Sequence, residues 1–297
     1  MSIDFSQLTQ PQLIEELDFE TLFSERKSSF ITLWNDAEKR TEIAATLQRE
    51  SEPLTKLLEE STYRELILRQ RINQAALSTL LAFAKKTDLD AVVANYGITR
   101  LLITPADSQS NAVYESDDAL RYRASLVFDS LSVAGPTSAY EYHALSADGR
   151  VTDAKASSPA PAEALVTILQ ADTLTGQATN ELIGIVQTYL SDDTRRPVGD
   201  RLTVQSVEVV DFELIATIYT KNLPETDQLI AQAQQKILAY LFESRRIGRS
   251  VYLSKLYEIL HLSGVDHVVI TSPSADVTIN QQQVVYCTRI LISAGET

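Results

Sequence analysis

Imidazole and thiol chemistry in this 297-residue chain rests on His143, His261, His267 and Cys287. His143 follows Glu141 by two positions and precedes Asp148 by five. Residues two apart do not share a helix face, so Glu141 and His143 are not a helical acid–base pair. His261 and His267 lack the HExxH context that sets two imidazoles and a general base around one zinc ion. All three histidines are read as structural or solvated. Cys287 closes the apolar run Val284-Val285-Tyr286, where a free cysteine acts as a small core residue. A single cysteine also excludes an intrachain disulfide and any cysteine-rich zinc or iron–sulfur site. Adjacent carboxylates occur at Glu15-Glu16, Glu59-Glu60, Asp117-Asp118 and Asp192-Asp193. Such pairs suit solvated surfaces, and Asp117-Asp118 suits the first turn of a helix. A glycosidase needs two carboxyls about 5–10 Å apart across a cleft, and nothing in the spacing points to one. With nine glycines and neither GxGxxG nor GxxxxGK[ST], the chain has no visible phosphate cradle. No cofactor and no metal are expected.

Two arginine clusters stand out, Arg195-Arg196 with Arg201 and Arg245-Arg246 with Arg249. They serve either as solubilising loop charges or as contacts to an acidic surface on a neighbouring protein, such as another copy's acidic N-terminal region. The formal net charge of −14 opposes broad binding to nucleic acid or to an anionic membrane. The helix–break–helix pattern around Gly248 is therefore not read as a DNA-binding element. The first residues, Met1 to Phe5, carry no basic stretch leading into an apolar core, so no secretory leader is expected. No apolar run approaches the roughly 20 residues that span a bilayer. The expectation is a soluble, cytoplasmic chain without membrane insertion.

The elements that hold these residues follow from periodicity. Residues 1–60 carry 13 acidic and 6 basic side chains, net −7, half of the whole excess. Phe19, Leu22, Phe23, Phe30, Leu33 and Trp34 trace one helix face, with Asp18 as its cap. Pro53 suits the first turn of a longer helix, expected to run to Lys85-Lys86. At about 100° per residue this helix carries two apolar stripes. Tyr63, Leu66, Ile67, Leu77 and Leu81 lie on one side; Leu68, Ile72, Ala75, Ala76 and Phe83 lie roughly opposite. Either the helix is central to the chain's own core, or it joins a bundle with other chains. A short helix follows, capped by Thr87 or Asp88 and stopped by Gly97, and the polar stretch 104–111 reads as a linker.

Beyond it an order of elements repeats. The first copy has helices over 116–131 and 138–147, a strand over 151–157 closed by Ser158-Pro159, and a strand over 164–170. The second has helices over 226–242 and 251–262, then a strand over 265–271 closed by Ser272-Pro273. Between them lie a helix over 180–190 and strands over 202–207 and 211–219. The expected fold class is α+β: a helical bundle-forming region at 1–103, a middle lobe at 104–220, and a C-terminal lobe at 221–297 that makes inter-subunit contacts.

Several stretches together resemble one family. They are Tyr63-Arg64-Glu65-Leu66-Ile67-Leu68-Arg69-Gln70-Arg71-Ile72-Asn73-Gln74-Ala75-Ala76, Asp88-Leu89-Asp90 and Tyr96-Gly97-Ile98-Thr99-Arg100. The likeness continues through Glu115-Ser116-Asp117-Asp118 with Arg121 and Arg123, Ser132-Val133-Ala134-Gly135-Pro136, Ala139-Tyr140, Ser158-Pro159, Arg196-Pro197, Asp200-Arg201 and Ser272-Pro273. This succession resembles the baseplate J family of contractile-tailed phages and related contractile injection systems. The resemblance implies a structural wedge subunit, with no catalytic residue, in a ring around a central hub. It implies as partners other copies of the chain, a second wedge protein, the small wedge protein linking to the sheath, and the hub. It places the protein in the tail baseplate or an equivalent injection device, assembled in the bacterial cytoplasm. The interface residues expected on this account are Tyr63, Leu66, Ile67, Leu68, Ile72, Leu77, Leu81, Phe83, Arg245, Arg246 and Arg249.

The alternative is a tail-tip cell-wall hydrolase, recognisable by peptidoglycan release that one carboxylate substitution abolishes. A nucleic-acid-binding regulator would instead give a salt-sensitive DNA complex. If the long helix needs other chains, a purified 1–100 fragment will self-associate in sedimentation. A monomer with a cooperative melt would count against the bundle.

Overall fold

The computed structural model describes residues 8, 9, 11, 18–108, 110–132, 135–220 and 223–295. Met1 to Phe5, Glu15-Glu16 and Val133-Ala134, singled out above, lie outside the described residues. The chain divides between Thr99 and Arg100 into two compact units.

The first unit holds α1 (Phe19–Thr32), α2 (Ala37–Thr46), α3 (Pro53–Ser78) and α4 (Lys86–Ala94). Asp18 caps α1, its carboxylate accepting the Thr21 N–H at 3.0 Å, and Asp36 caps α2 through the Glu38 N–H at 2.9 Å. Both satisfy donors that a helix start leaves unpaired. Phe23 from α1, Leu47 beyond α2 and Leu58 from α3 form the buried centre, with Phe19, Phe30, Ile43 and Leu54 packed around it. Farther along α3 the contact with α1 turns polar: Arg26 reaches Ser61 and Glu65, and Glu65 also holds Arg69 at 2.7 Å.

The long helix stops at Ser78 and does not reach Lys85-Lys86. The hydroxyls of Ser78 and Thr79 bond back to the carbonyls of Ala75 and Ala76 at 2.9 and 2.8 Å. Those bonds compete with helix continuation, and the chain tightens into three-residue turns such as Leu80 N–H to Leu77 O at 3.1 Å. Leu81 and Phe83 therefore lie beyond α3, in the turn before α4. Lys86, placed above at the end of the long helix, instead begins α4. In α4 Leu89 and Val93 are fully buried. Gly97, at φ +72°, turns the chain so that the Ile98 N–H reaches back to Val93 O, as a glycine after a helix end commonly does.

In the second unit β1 (Leu102–Thr104) and β2 (Val113–Tyr114) pair antiparallel, so the stretch read as a linker is the loop of a short hairpin. There follow α5 (Asp117–Ser125), capped by Ser116, a 3₁₀ turn at Asp129–Leu131, and α6 (Thr137–Ala147). The single helix expected over 116–131 ends early because the Ser125 and Ser130 hydroxyls take the Tyr122 and Val127 carbonyls at 2.6 and 2.5 Å. Next come β3 (Val151–Ser157), β4 (Glu163–Gln170), α7 (Asn180–Leu190) and β5 (Arg201–Ser206). Central β4 runs antiparallel to β3 and parallel to β5. Tyr140 and Ala144 of α6 and Leu182 and Val186 of α7 bury the sheet's Val166 and Ile168.

The remaining elements are β6 (Glu208–Thr220), α8 (Leu223–Ser244), α9 (Leu253–Leu260), β7 (Val265–Ser272) and β8 (Gln283–Gly295). Here β6 is central, antiparallel to β7 and parallel to β8. Because β6 belongs to the C-terminal sheet, the lobe boundary falls near Val207 and not at 220. Both lobes have a helix–helix–strand run and a three-stranded mixed sheet of the same polarity. They differ in how the centre strand enters: β4 follows its edge strand as a hairpin, whereas β6 precedes the two helices. The fold class is α+β.

A buried ion pair anchors the start of this unit. The Glu115 and Arg123 side chains, 7% and 5% exposed, bond to each other. Glu115 also accepts the Leu101 N–H at 2.9 Å, and Arg100 reaches Glu115 O at 2.7 Å and Asp117 at 2.8 Å. Removing one partner of a buried pair typically costs about 3–5 kcal/mol, and here it also removes the acceptor of the Leu101 N–H. Glu115→Ala is expected to destabilise the full chain by about that much in urea unfolding; a change within 0.5 kcal/mol, the usual range of surface substitutions, would refute this.

Candidate functional site

The residues with chemical capability sit apart from one another. His143 is half-buried on α6 against the Tyr142 ring, with centroids 5.4 Å apart; burial, with a smaller contribution from Arg195, holds its pKa down. His267 stacks on Tyr219 at 4.1 Å, and His261 follows the last residue of α9. Burial pushes the Cys287 thiol up, away from a reactive thiolate. Among the described residues no cluster of three histidine, cysteine or carboxylate side chains could hold a metal ion. Arg195 stacks over Tyr189 at 3.7 Å and bonds Tyr189 O at 2.8 Å. Arg196 bonds Asp200 O at 2.8 Å. These arginines fasten their own loop.

Arg245 and Arg246 depart from the expectation of an outward-facing patch. They lie where the middle and C-terminal lobes meet. Arg245 bonds Thr173 O at 2.8 Å and Leu174 O at 2.9 Å. Arg246 reaches Thr152 O at 3.4 Å and lies over the Tyr122 ring at 5.8 Å. Arg249 is exposed and bonds Glu243 O at 3.1 Å. The chain thus spends two of the three cations on carbonyls of its own middle lobe.

At the centre of this joint is Asp153, 3% exposed. Its carboxylate accepts the Ala154 N–H at 3.0 Å and, across the lobes, the Ile247 N–H at 2.9 Å. Burial raises its pKa against the opposing pull of Arg246, the two backbone donors and Lys155. An apolar plug of Leu169, Val207, Ile247 and Val284 lies beside it. Sequence reading missed Asp153, and alternation carries no signal for it: Ala154 and Ala156 mark the apolar face, and the register shift between Val151 and Asp153 sets Val151 in the middle lobe's core with Ala154 while Asp153 faces the joint.

Unlike the joint, α3 presents apolar side chains to solvent. Its buried residues are Thr55, Leu58 and Thr62, all in its first ten positions. Tyr63, Leu68 and Ile72 are 57%, 59% and 57% exposed, and Leu57, not singled out from sequence, is 62% exposed. Leu66, Ile67 and Leu77 are half-buried. At about 1.5 Å per residue α3 is roughly 39 Å long and α1 roughly 21 Å, so α1 is too short to line it.

Comparison with known proteins bears on both regions. Three family models match in succession: a Baseplate J-like N-terminal domain over residues 50–107, a Baseplate J-like central domain over 132–206, and a Baseplate J-like protein C-terminal domain over 212–293. Baseplate protein J of Escherichia phage P2 is 44% identical over 297 residues, 99% of this chain and 98% of that protein. A chain in the cryo-EM structure of the anti-feeding prophage (AFP) baseplate, 6-fold symmetrised, is 14% identical with a TM-score of 0.41. That likeness spans 61% of this chain and 43% of that one. Asp153 falls in the central match and Ile247 in the C-terminal match, so the joint ties two matched regions together.

A carboxyl whose folded pKa is raised favours the folded state fully below its unfolded pKa, and that contribution is lost as pH rises through the folded value. The stability of Asp153→Asn relative to the parent is therefore expected to rise from acidic pH towards neutrality, measured by urea unfolding across that range. A difference independent of pH would show that Asp153 carries no such shift.

Proposed function

Since the chain belongs to the baseplate J-like family, we propose that it is a non-catalytic subunit of the baseplate wedge of a contractile tail. In this reading it joins other copies of itself and partner wedge proteins into a ring around the central hub. The observation that carries the reading is the 44% identity to a phage baseplate protein over essentially both whole chains. Its partners are a second wedge protein, the small wedge protein that connects to the sheath, and the hub. The particle is a virion tail or an equivalent injection device, put together in the bacterial cytoplasm.

The physics of the two units supports this role. Leaving a large apolar side chain in water forfeits about 1.5–3 kcal/mol relative to burying it, and α3 leaves several exposed. A helix with apolar residues on more than one side is stable when neighbours cover it, and in the proposed wedge those neighbours are helices of other chains. The α+β unit closes its own two cores and offers a preformed frame for contacts between copies. Ring contacts that change on contraction need two discrete arrangements, and separate units allow one set to change while the other holds.

Ile72→Asp and Leu77→Asp place a charge in the proposed helix contact, where burial of an unpaired carboxylate is strongly unfavourable. Each is expected to abolish co-purification with the partner wedge protein while leaving far-ultraviolet circular dichroism unchanged. Normal assembly of both variants would sink the bundle reading.

A further inference from the structure

The main chain passes between the middle and C-terminal lobes once, and hydrogen bonds locate the crossing to a single residue. The Val207 N–H bonds Ile168 O at 3.1 Å, extending the β4–β5 ladder. The Glu208 N–H bonds Gln282 O at 3.0 Å, where the C-terminal sheet begins. Val207 alone separates β5 from β6. The chain therefore changes lobes across one residue, and residues at element ends are where rotations between domains are taken up.

Little else holds the two lobes together. Among the described residues, no helix or strand of one lobe runs along a helix or strand of the other. The contact comes instead from the segment after α8, through the Ile247 N–H on Asp153 and the Arg245 and Arg246 bonds to middle-lobe carbonyls. Its apolar part is the plug of Leu169, Val207, Ile247 and Val284, far smaller than the core of either lobe. Arg245 Nε and Thr152 Oγ1 are buried there without a hydrogen-bond partner, which lowers the worth of the closed contact. Lobes joined by a small, partly polar contact move against each other unless a large apolar interface prevents it.

We infer that Val207 is a hinge and Asp153 its latch, and that the joint opens with both cores still folded. Opening gives the C-terminal lobe a second orientation on the middle lobe. Asp153 suits the role because its carboxylate takes one N–H from its own strand, at Ala154, and one from the other lobe, at Ile247. On opening, the first bond stays and water replaces the second. Rehydration of the carboxylate then offsets part of the apolar area given up by the plug. Leu169 on β4 and Val284 on β8 lose their cover together, one from each lobe. The hinge is a property of this chain alone and does not depend on the wedge reading.

Single thiols in the full chain with Cys287→Ser test this by their rate of reaction with an aromatic disulfide reagent under native conditions. Leu169→Cys and Val284→Cys report the two sides of the plug. Val186→Cys and Val251→Cys report the middle and C-terminal cores, and all four positions are buried. Both plug thiols are expected to react about a hundredfold faster than both core thiols, since opening uncovers the plug without unfolding a lobe. Adding Asp153→Ala is expected to speed both plug thiols about tenfold, through loss of one charge-assisted hydrogen bond. Plug thiols no faster than core thiols would mean that the lobes part only on unfolding, and would overturn the hinge. A fast Val284→Cys beside a slow Leu169→Cys would mean fraying of β8 and overturn it equally. Fast plug thiols indifferent to Asp153→Ala would overturn Asp153 as the latch. Should Leu169→Cys not fold, Val207→Cys, tied to the middle lobe by the Ile168 bond, takes its place.

Discussion

A helix cannot hide apolar side chains from water along a length that no neighbour covers. In this chain α1 packs on α3 near its start, at Leu58, and the contact then passes to the Arg26–Glu65–Arg69 ion pairs. From Tyr63 onward the helix projects leucine, isoleucine and tyrosine side chains into solvent. Cooperative helix formation depends on tertiary burial more than on intrinsic propensity. The rest of the proposed function depends on how that burial is completed, because the chain's own described residues leave it open. The acidic excess of residues 1–60 and the cations of residues 66–86 give the region a charge pattern that neighbours of opposite sign can use.

The α+β unit obeys a different constraint. Each sheet is covered by helices that bury its inner face, and the two lobes are then fixed to each other. Asp153 has backbone donors from both lobes, and Arg245 and Arg246 bond carbonyls of the middle lobe. The apolar plug of Leu169, Val207, Ile247 and Val284 excludes water beside them. Disturbing Asp153 would therefore loosen two lobes at once without emptying either core. This division gives the molecule a helical unit with exposed apolar side chains and an α+β unit that closes its own cores.

How much of this could be read from the residues alone depended on the range of the deciding interaction. The strand Val151–Ser157 and the helix Asn180–Leu190 agree with their sequence patterns to the residue, because local periodicity and capping settle them. The end of α3 was misplaced by several residues, since hydroxyl-to-carbonyl bonds at Ser78 and Thr79 overrode an apolar pattern that continued through Leu81 and Phe83. The partners of β6 were invisible locally; strand pairing across more than forty residues leaves no mark in a short window. The arginines near Gly248 were conspicuous by charge, but their targets are backbone carbonyls, which every residue carries. Asp153 alternates with Ala154 and Ala156 as an outward-facing polar residue would, and neither the register shift beside it nor its distant donor, the Ile247 N–H, leaves a local mark.

The central claim is that α3 is completed by other chains. A density map of the assembled particle tests it most directly. The account predicts that Leu57, Leu68 and Ile72 lie inside a bundle with helices from at least one other chain and are lost to solvent. A map in which α3 stands free, or in which residues of its own chain cover that stripe, would contradict it.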